Sequence, residues 1–89
     1  MAKTSAQENL KKDVHGSVLR ISGTIIDVQF PRTSAPNILN ELQVILSHNG
    51  DDKQTRASLE VAQQLGDGVV RCIAIENIYN IKRGLPVID

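Results

Sequence analysis

The residues able to do chemistry are few: Cys72, the single cysteine; His15 and His48, the two histidines; and the carboxylates Asp13, Asp51 and Asp52. A metal centre needs three or four converging ligands. His15 and His48 lie far apart, with no cysteine or further histidine at ligand spacing. Cys72 falls in the apolar run Val70-Arg71-Cys72-Ile73-Ala74-Ile75. There it is expected to pack as a small apolar side chain, since a reactive thiol needs exposure and an electropositive setting. Asp51 and Asp52 follow Asn49-Gly50 and read as solvated turn residues. No Gly-x-x-x-x-Gly-Lys-Ser/Thr loop is present to cradle phosphates, and no Gly-x-Gly-x-x-Gly. The sequence predicts no catalytic residue, no cofactor-binding residue and no metal ligand in these 89 residues.

The binding classes narrow in the same way. Ten basic and ten acidic residues cancel, and Lys11-Lys12 and Lys82-Arg83 are short pairs that read as solvated surface. Nucleic-acid binding calls for a basic surplus, and single-strand binding for stacking aromatics. Phe30 and Tyr79 are the only aromatics, and Phe30 falls on a predicted buried face. No nucleic-acid partner is expected. No run approaches the ~20 apolar residues of a membrane-spanning helix, so no direct membrane insertion is expected. Met1 to Asp13 has neither a signal-peptide core nor an Arg-rich presequence. A soluble, cytoplasmic chain is the economical expectation, and one unpaired cysteine fits a reducing compartment.

The elements behind these residues have the texture of short strands. Residues 1–15 are polar, with Leu10 and Val14 as the sizeable apolar side chains, and are expected to form a flexible lead-in with transient helix over Gln7 to Lys12. From Gly16 the chain turns to β-branched runs divided by turn signals. Ser17 to Ser22 is the first predicted strand and Thr24 to Phe30 the second, with Ile26, Val28 and Phe30 on one face. Leu19 and Ile21 have the opposite parity, which predicts a bulge or sharp bend at Gly23. Residues 31–40 read as a loop between Pro31 and the third strand, Leu42 to His48. Asn49-Gly50 is a strong hairpin signal. Gln54 to Gln63 is the fourth strand, with Ala57, Leu59 and Val61 inward, and Gly66-Asp67-Gly68 the next turn. Val69 to Ile75 is apolar on both parities apart from Arg71, which predicts burial on both faces. Glu76 to Gly84 is irregular, and Leu85 to Asp89 begins a sixth strand. Five or six short strands at regular spacing predict an all-β domain over residues 16–89, a small barrel or sandwich, with a closed barrel favoured because closure removes the edges a lone sheet would expose.

Gly16-Ser17-Val18-Leu19-Arg20-Ile21-Ser22-Gly23-Thr24-Ile25-Ile26-Asp27-Val28-Gln29-Phe30 closely resembles the opening of the β subunit of F-type ATP synthases. In that family a Gly-x-Val-x-x-Ile-x-Gly stretch leads into Val-Asp-Val-x-Phe. The likeness continues through Ile38-Leu39-Asn40 and Leu42, and through Val70-Arg71-Cys72-Ile73-Ala74-Ile75 and Arg83-Gly84-Leu85-Pro86-Val87. It is strongest at Leu59-Glu60-Val61-Ala62-Gln63-Gln64-Leu65-Gly66, the segment that separates β subunits from their non-catalytic α relatives. Departures are mild. The family usually has a bulky apolar residue near Ala57 or Ser58, threonine and glycine within Asn77 to Asn80, and Gly-Leu-Val where Tyr79-Asn80-Ile81 stands.

The resemblance implies a small closed six-stranded antiparallel barrel, a crown domain that alternates with α-subunit barrels in a ring and takes no part in the chemistry. It implies that the chain is cut from a longer subunit, whose following domain binds Mg-ATP and Mg-ADP and makes ATP from ADP and phosphate using a proton gradient. The expected setting is the cytoplasmic face of a bacterial inner membrane, with the isolated barrel monomeric. A free-standing ligand- or nucleic-acid-binding barrel is the alternative of a different class. The barrel of a related rotary or export ATPase is a third reading, against which the Leu59 to Gly66 segment argues.

Overall fold

The computed structural model describes residues 15–48, 54–76 and 78–89. The strands are β1 (His15–Ser22), β2 (Ile25–Gln29), β3 (Glu41–His48), β4 (Gln54–Gly66), β5 (Val69–Ala74) and β6 (Pro86–Ile88), with a 3₁₀ turn at Ile78–Asn80. They close into an antiparallel barrel in the order β1-β2-β5-β4-β3-β6, confirming the predicted fold. Closure depends on β6, which is three residues long. It pairs with β1 through Gly16↔Val87 and with β3 through Val44↔Val87. The lead-in predicted over residues 1–15 falls outside the described residues except for His15, which opens β1. The Asn49-Gly50 turn is also outside them, although β3 and β4 pair antiparallel as it requires.

The core is aliphatic, with one ring. Ile26, Val28, Leu42, Val44, Leu59, Val61, Val70 and Val87 are wholly buried, and Phe30 is the largest side chain among them. Gly16 faces the Phe30 ring, and a Cβ there would lie 3.0 Å from two ring carbons and 2.8 Å from the Gln29 carbonyl oxygen. The ring occupies the space that a side chain at residue 16 would need. Ile81 is buried from the irregular segment, and Ile78 and Leu85 pack partly against the same core.

Local irregularities differ from the sequence expectation in an informative way. Gly23, at a positive φ of 61°, is the first central residue of a two-residue hairpin, since Ser22 pairs with Ile25. Glycine at that place suits a turn whose twist matches the flanking strands. The bulge itself lies at Leu19, between the pairs Val18↔Val28 and Arg20↔Asp27. The inward residue of β1 is therefore Val18, opposite Val28, while Ile21, opposite Ile26 near the hairpin, stays 37% exposed. One extra residue resets the side-chain alternation. β4 runs to Gly66, beyond the predicted Gln63, through register shifts between Val61 and Gln63 and between Gln64 and Gly66.

Candidate functional site

β5 corrects the largest sequence expectation. Val70, Cys72 and Ala74 point into the core, whereas Ile73 is 45% exposed and Ile75 59% exposed. The strand is buried on one face only. Ile25 lies directly opposite Ile73 on β2 and is 36% exposed. These three isoleucines form an apolar strip on the outside of the barrel. The signal was present in the sequence as apolar residues on both parities of β5. It reads equally as a doubly covered strand or as a strand whose cover is another molecule.

Beside the strip, a cross-strand row carries charge. Arg20 on β1, Asp27 on β2, Arg71 on β5 and Gln63 on β4 stand opposite one another in turn. Arg71 donates from Nε to Asp27 Oδ1 at 2.9 Å and from Nη2 to Oδ2 at 3.0 Å. Arg20 Nε donates to the same Oδ2 at 3.0 Å. Asp27 is only 3% exposed although it points outward, because the two arginine side chains cover it. The Arg71 hydrogen bonds, more than those from Arg20, hold its carboxyl below the ordinary 3.8 against the opposing effect of burial. The Leu19 bulge makes this row possible, because without the extra residue Arg20 would fall on the inward parity.

The row borders an open groove of about 540 Å³. Its apolar walls come from Leu19, Ile21 and Ile25, and Arg83 reaches it from the loop before β6. On the other side of the strip the charge has the opposite sign. Glu60 lies opposite Ile73, and Glu41 lies opposite Glu60. Glu76 accepts a hydrogen bond from Ser58 Oγ at 3.1 Å, and Ser58 also accepts one from Gln43 at 3.0 Å. The outer face thus runs from basic, through apolar, to acidic.

A second exposed apolar group lies elsewhere. Ile38 is 53% exposed, Leu39 73% and Leu65 37%. Leu39 has a φ of +79°, an uncommon conformation for a bulky residue. It is held there by donation from its N–H to the Val61 carbonyl at 2.8 Å, while the Val61 N–H donates to the Asn40 carbonyl at 2.9 Å. On the β4–β5 ladder, Ile73 pairs with Glu60 and Val69 with Gly66. Leu65 is thus about five residues of strand from the Ile73 pair, on the order of 15 Å.

The residues first considered for chemistry do not converge. His15 is exposed at the start of β1, opposite Ile88. Asp13, Asp51, Asp52 and the His48 side chain lie outside the described residues. Cys72 is wholly buried, and burial, with a smaller contribution from the Asp27 charge, pushes its thiol up to about 12. Among the described residues no three His, Cys, Asp or Glu side chains could hold a metal ion.

The β-barrel domain of the ATP synthase alpha/beta family matches residues 18–89, from the second half of β1 through the closing strand β6. By this match and by its closed six-stranded barrel, the chain belongs to the ATP synthase alpha/beta family, as its β-barrel domain.

Proposed function

We propose that this barrel is the N-terminal domain of the β-type, catalytic subunit of an F-type ATP synthase, and that it holds the subunit in an alternating ring with α-type barrels. The observation that carries the reading is the outward Ile25–Ile73–Ile75 strip on a barrel whose interior is already filled. Among the described residues the inward side chains are buried apolar groups, so the exposed isoleucines favour a protein partner over the free-standing ligand-binding alternative. A ring member also needs two different faces, one for each neighbour. The separate Ile38, Leu39 and Leu65 group offers the second. The Leu59 to Gly66 segment supports assignment to the β type.

In this reading the parent subunit binds Mg-ATP and Mg-ADP in a domain outside these residues and makes ATP from ADP and phosphate. It works at the cytoplasmic face of a bacterial inner membrane, driven by the proton gradient. The barrel contributes position and no step of the reaction. Sedimentation of the chain alone and with a purified α-type barrel tests this. The expected result is a monomer alone and co-sedimenting species with the α-type barrel. A stable homo-hexamer, or no association with the α-type barrel at millimolar concentration, would overturn it.

A further inference from the structure

The groove beside Asp27 contains more positive charge than its own carboxylate can neutralise. Arg20, Arg71 and Arg83 line it, against Asp27 alone. Both Asp27 oxygens are already engaged by Arg71 and Arg20. Those bonds use Nε of Arg20 and Nε and Nη2 of Arg71, leaving the Arg20 terminal nitrogens and Arg71 Nη1 for another acceptor. Among the described residues Arg83 has no carboxylate within salt-bridge distance. The side chains of Arg20 and Arg71 are 60% and 42% exposed, so an incoming group can reach them.

The chemistry of the walls narrows the occupant. Leu19, Ile21 and Ile25 give the groove an apolar floor that a bare inorganic anion would not use. Ile25 belongs to both the groove and the exposed isoleucine strip, so an occupant of the groove is continuous with whatever covers the strip. Charge complementarity then sets the polarity of that partner: acidic over β1 and β2, basic over Glu41, Glu60 and Glu76. We propose that the groove receives the carboxylate of an aspartate or glutamate, with an apolar neighbour in its own sequence, from the non-identical barrel that packs on the Ile25–Ile73–Ile75 strip. The proposal rests on the assembly reading above and adds the chemistry by which the correct neighbour is recognised. The guanidinium fork provides direction, since planar bidentate geometry suits a carboxylate.

Arg83→Gln removes one groove charge from a loop residue without touching the Asp27 hydrogen bonds. Lys82→Gln makes the same change in net charge beside it, where the side chain lines a different groove with Leu46 and Leu85. Affinity for the α-type barrel is measured by calorimetry at low and high salt, with thermal melts confirming that both variants fold. Arg83→Gln should weaken binding about two- to fivefold at low salt and flatten the salt dependence. Lys82→Gln should do neither, and Arg83→Glu should make binding strengthen with salt. Equal effects of Arg83→Gln and Lys82→Gln would overturn the groove proposal. If Ile73→Asp still abolishes binding in that case, the assembly reading survives alone. Micromolar binding of inorganic phosphate to the chain, lost in Arg83→Gln, would also overturn the proposal in favour of a small-anion site. Self-association that is lost in Arg83→Gln would overturn it in favour of a second copy.

Discussion

Arg71 grips Asp27 through two nitrogens across the β2–β5 ladder, at 2.9 and 3.0 Å, and shields it so well that an outward-facing carboxylate is 3% exposed. The pair joins the two strands on the outside, while Val28↔Val70 and Ile26↔Cys72 join them on the inside. A sheet position that would ordinarily be solvated becomes a fixed point of the barrel wall.

Asp27→Asn should therefore cost on the order of 1–2 kcal/mol, the lower part of the range for hydrogen bonds to charged groups because both arginines are partly exposed. The pH dependence has a definite sign. Asp27 is held below its ordinary 3.8 in the folded chain, so the unfolded chain takes up this proton first as the pH falls. The contribution is complete above about 3.8 and disappears as the pH falls through the lower folded value. Urea midpoints measured at neutral pH and near pH 3 should converge for Asp27→Asn and the unaltered chain as the solution becomes more acidic. Midpoints that differ equally at both pH values would contradict this.

Cys72 should resist thiol reagents in the folded chain and react on addition of denaturant, since it is wholly buried and its thiol is pushed up to about 12. The folded value lies above the ordinary 9.0, so stability is unaffected below pH 9 and declines as pH rises from there toward 12. Cys72→Ser should cost about 1–3 kcal/mol, because a buried hydroxyl would replace a weakly polar thiol. Rapid labelling without denaturant is the result that would count against burial.

Gly16→Ala should destabilise the chain through overpacking, on the order of 1–3 kcal/mol, because its Cβ would press on the Phe30 ring and the Gln29 carbonyl. Gly68→Ala should be worse. Gly68 has a φ of +86°, and a Cβ there would also collide with the Phe30 carbonyl oxygen and lie 2.7 Å from that of Pro31. By contrast, Gly23→Ala has open space around its Cβ and must bear only the strain of its positive φ. Thermal melts should show Gly68→Ala the least stable, Gly16→Ala next and Gly23→Ala the most stable of the three.

Ile73→Ser and Leu59→Ala should separate surface from core. Leu59 is wholly buried, and truncating it should cost about 2–5 kcal/mol. Ile73 is 45% exposed, and its replacement should change the stability of the isolated chain by less than about 1 kcal/mol. A loss from Ile73→Ser comparable to that from Leu59→Ala, read from denaturant midpoints, would show that the strip is structural.

Much of the barrel was legible in the sequence because strand alternation is a local property. Ile26, Val28 and Phe30, or Ala57, Leu59 and Val61, reveal their inward face wherever the strand is later placed. The parity change between β1 and β2 was also visible, but its position was not. A bulge is defined by the partner strand, and only the register Val18↔Val28, Arg20↔Asp27 places the extra residue at Leu19. The same limit hid the charged row, since Arg20, Asp27 and Arg71 each look like an isolated charge in an apolar run.

By itself, the sequence determined where the strand runs lie, the aliphatic core and the glycine-marked turn at 66–68. Its resemblance to the ATP synthase family was readable from motif order alone. Tertiary structure decided how β6 closes the barrel, which face of β5 meets solvent, and that Arg20 and Arg71 close over Asp27. The physical reason is range. Propensity and alternation act between neighbours in the chain, whereas register, closure and surface exposure arise from pairings between distant residues, such as Gly16 with Val87 and Asp27 with Arg71.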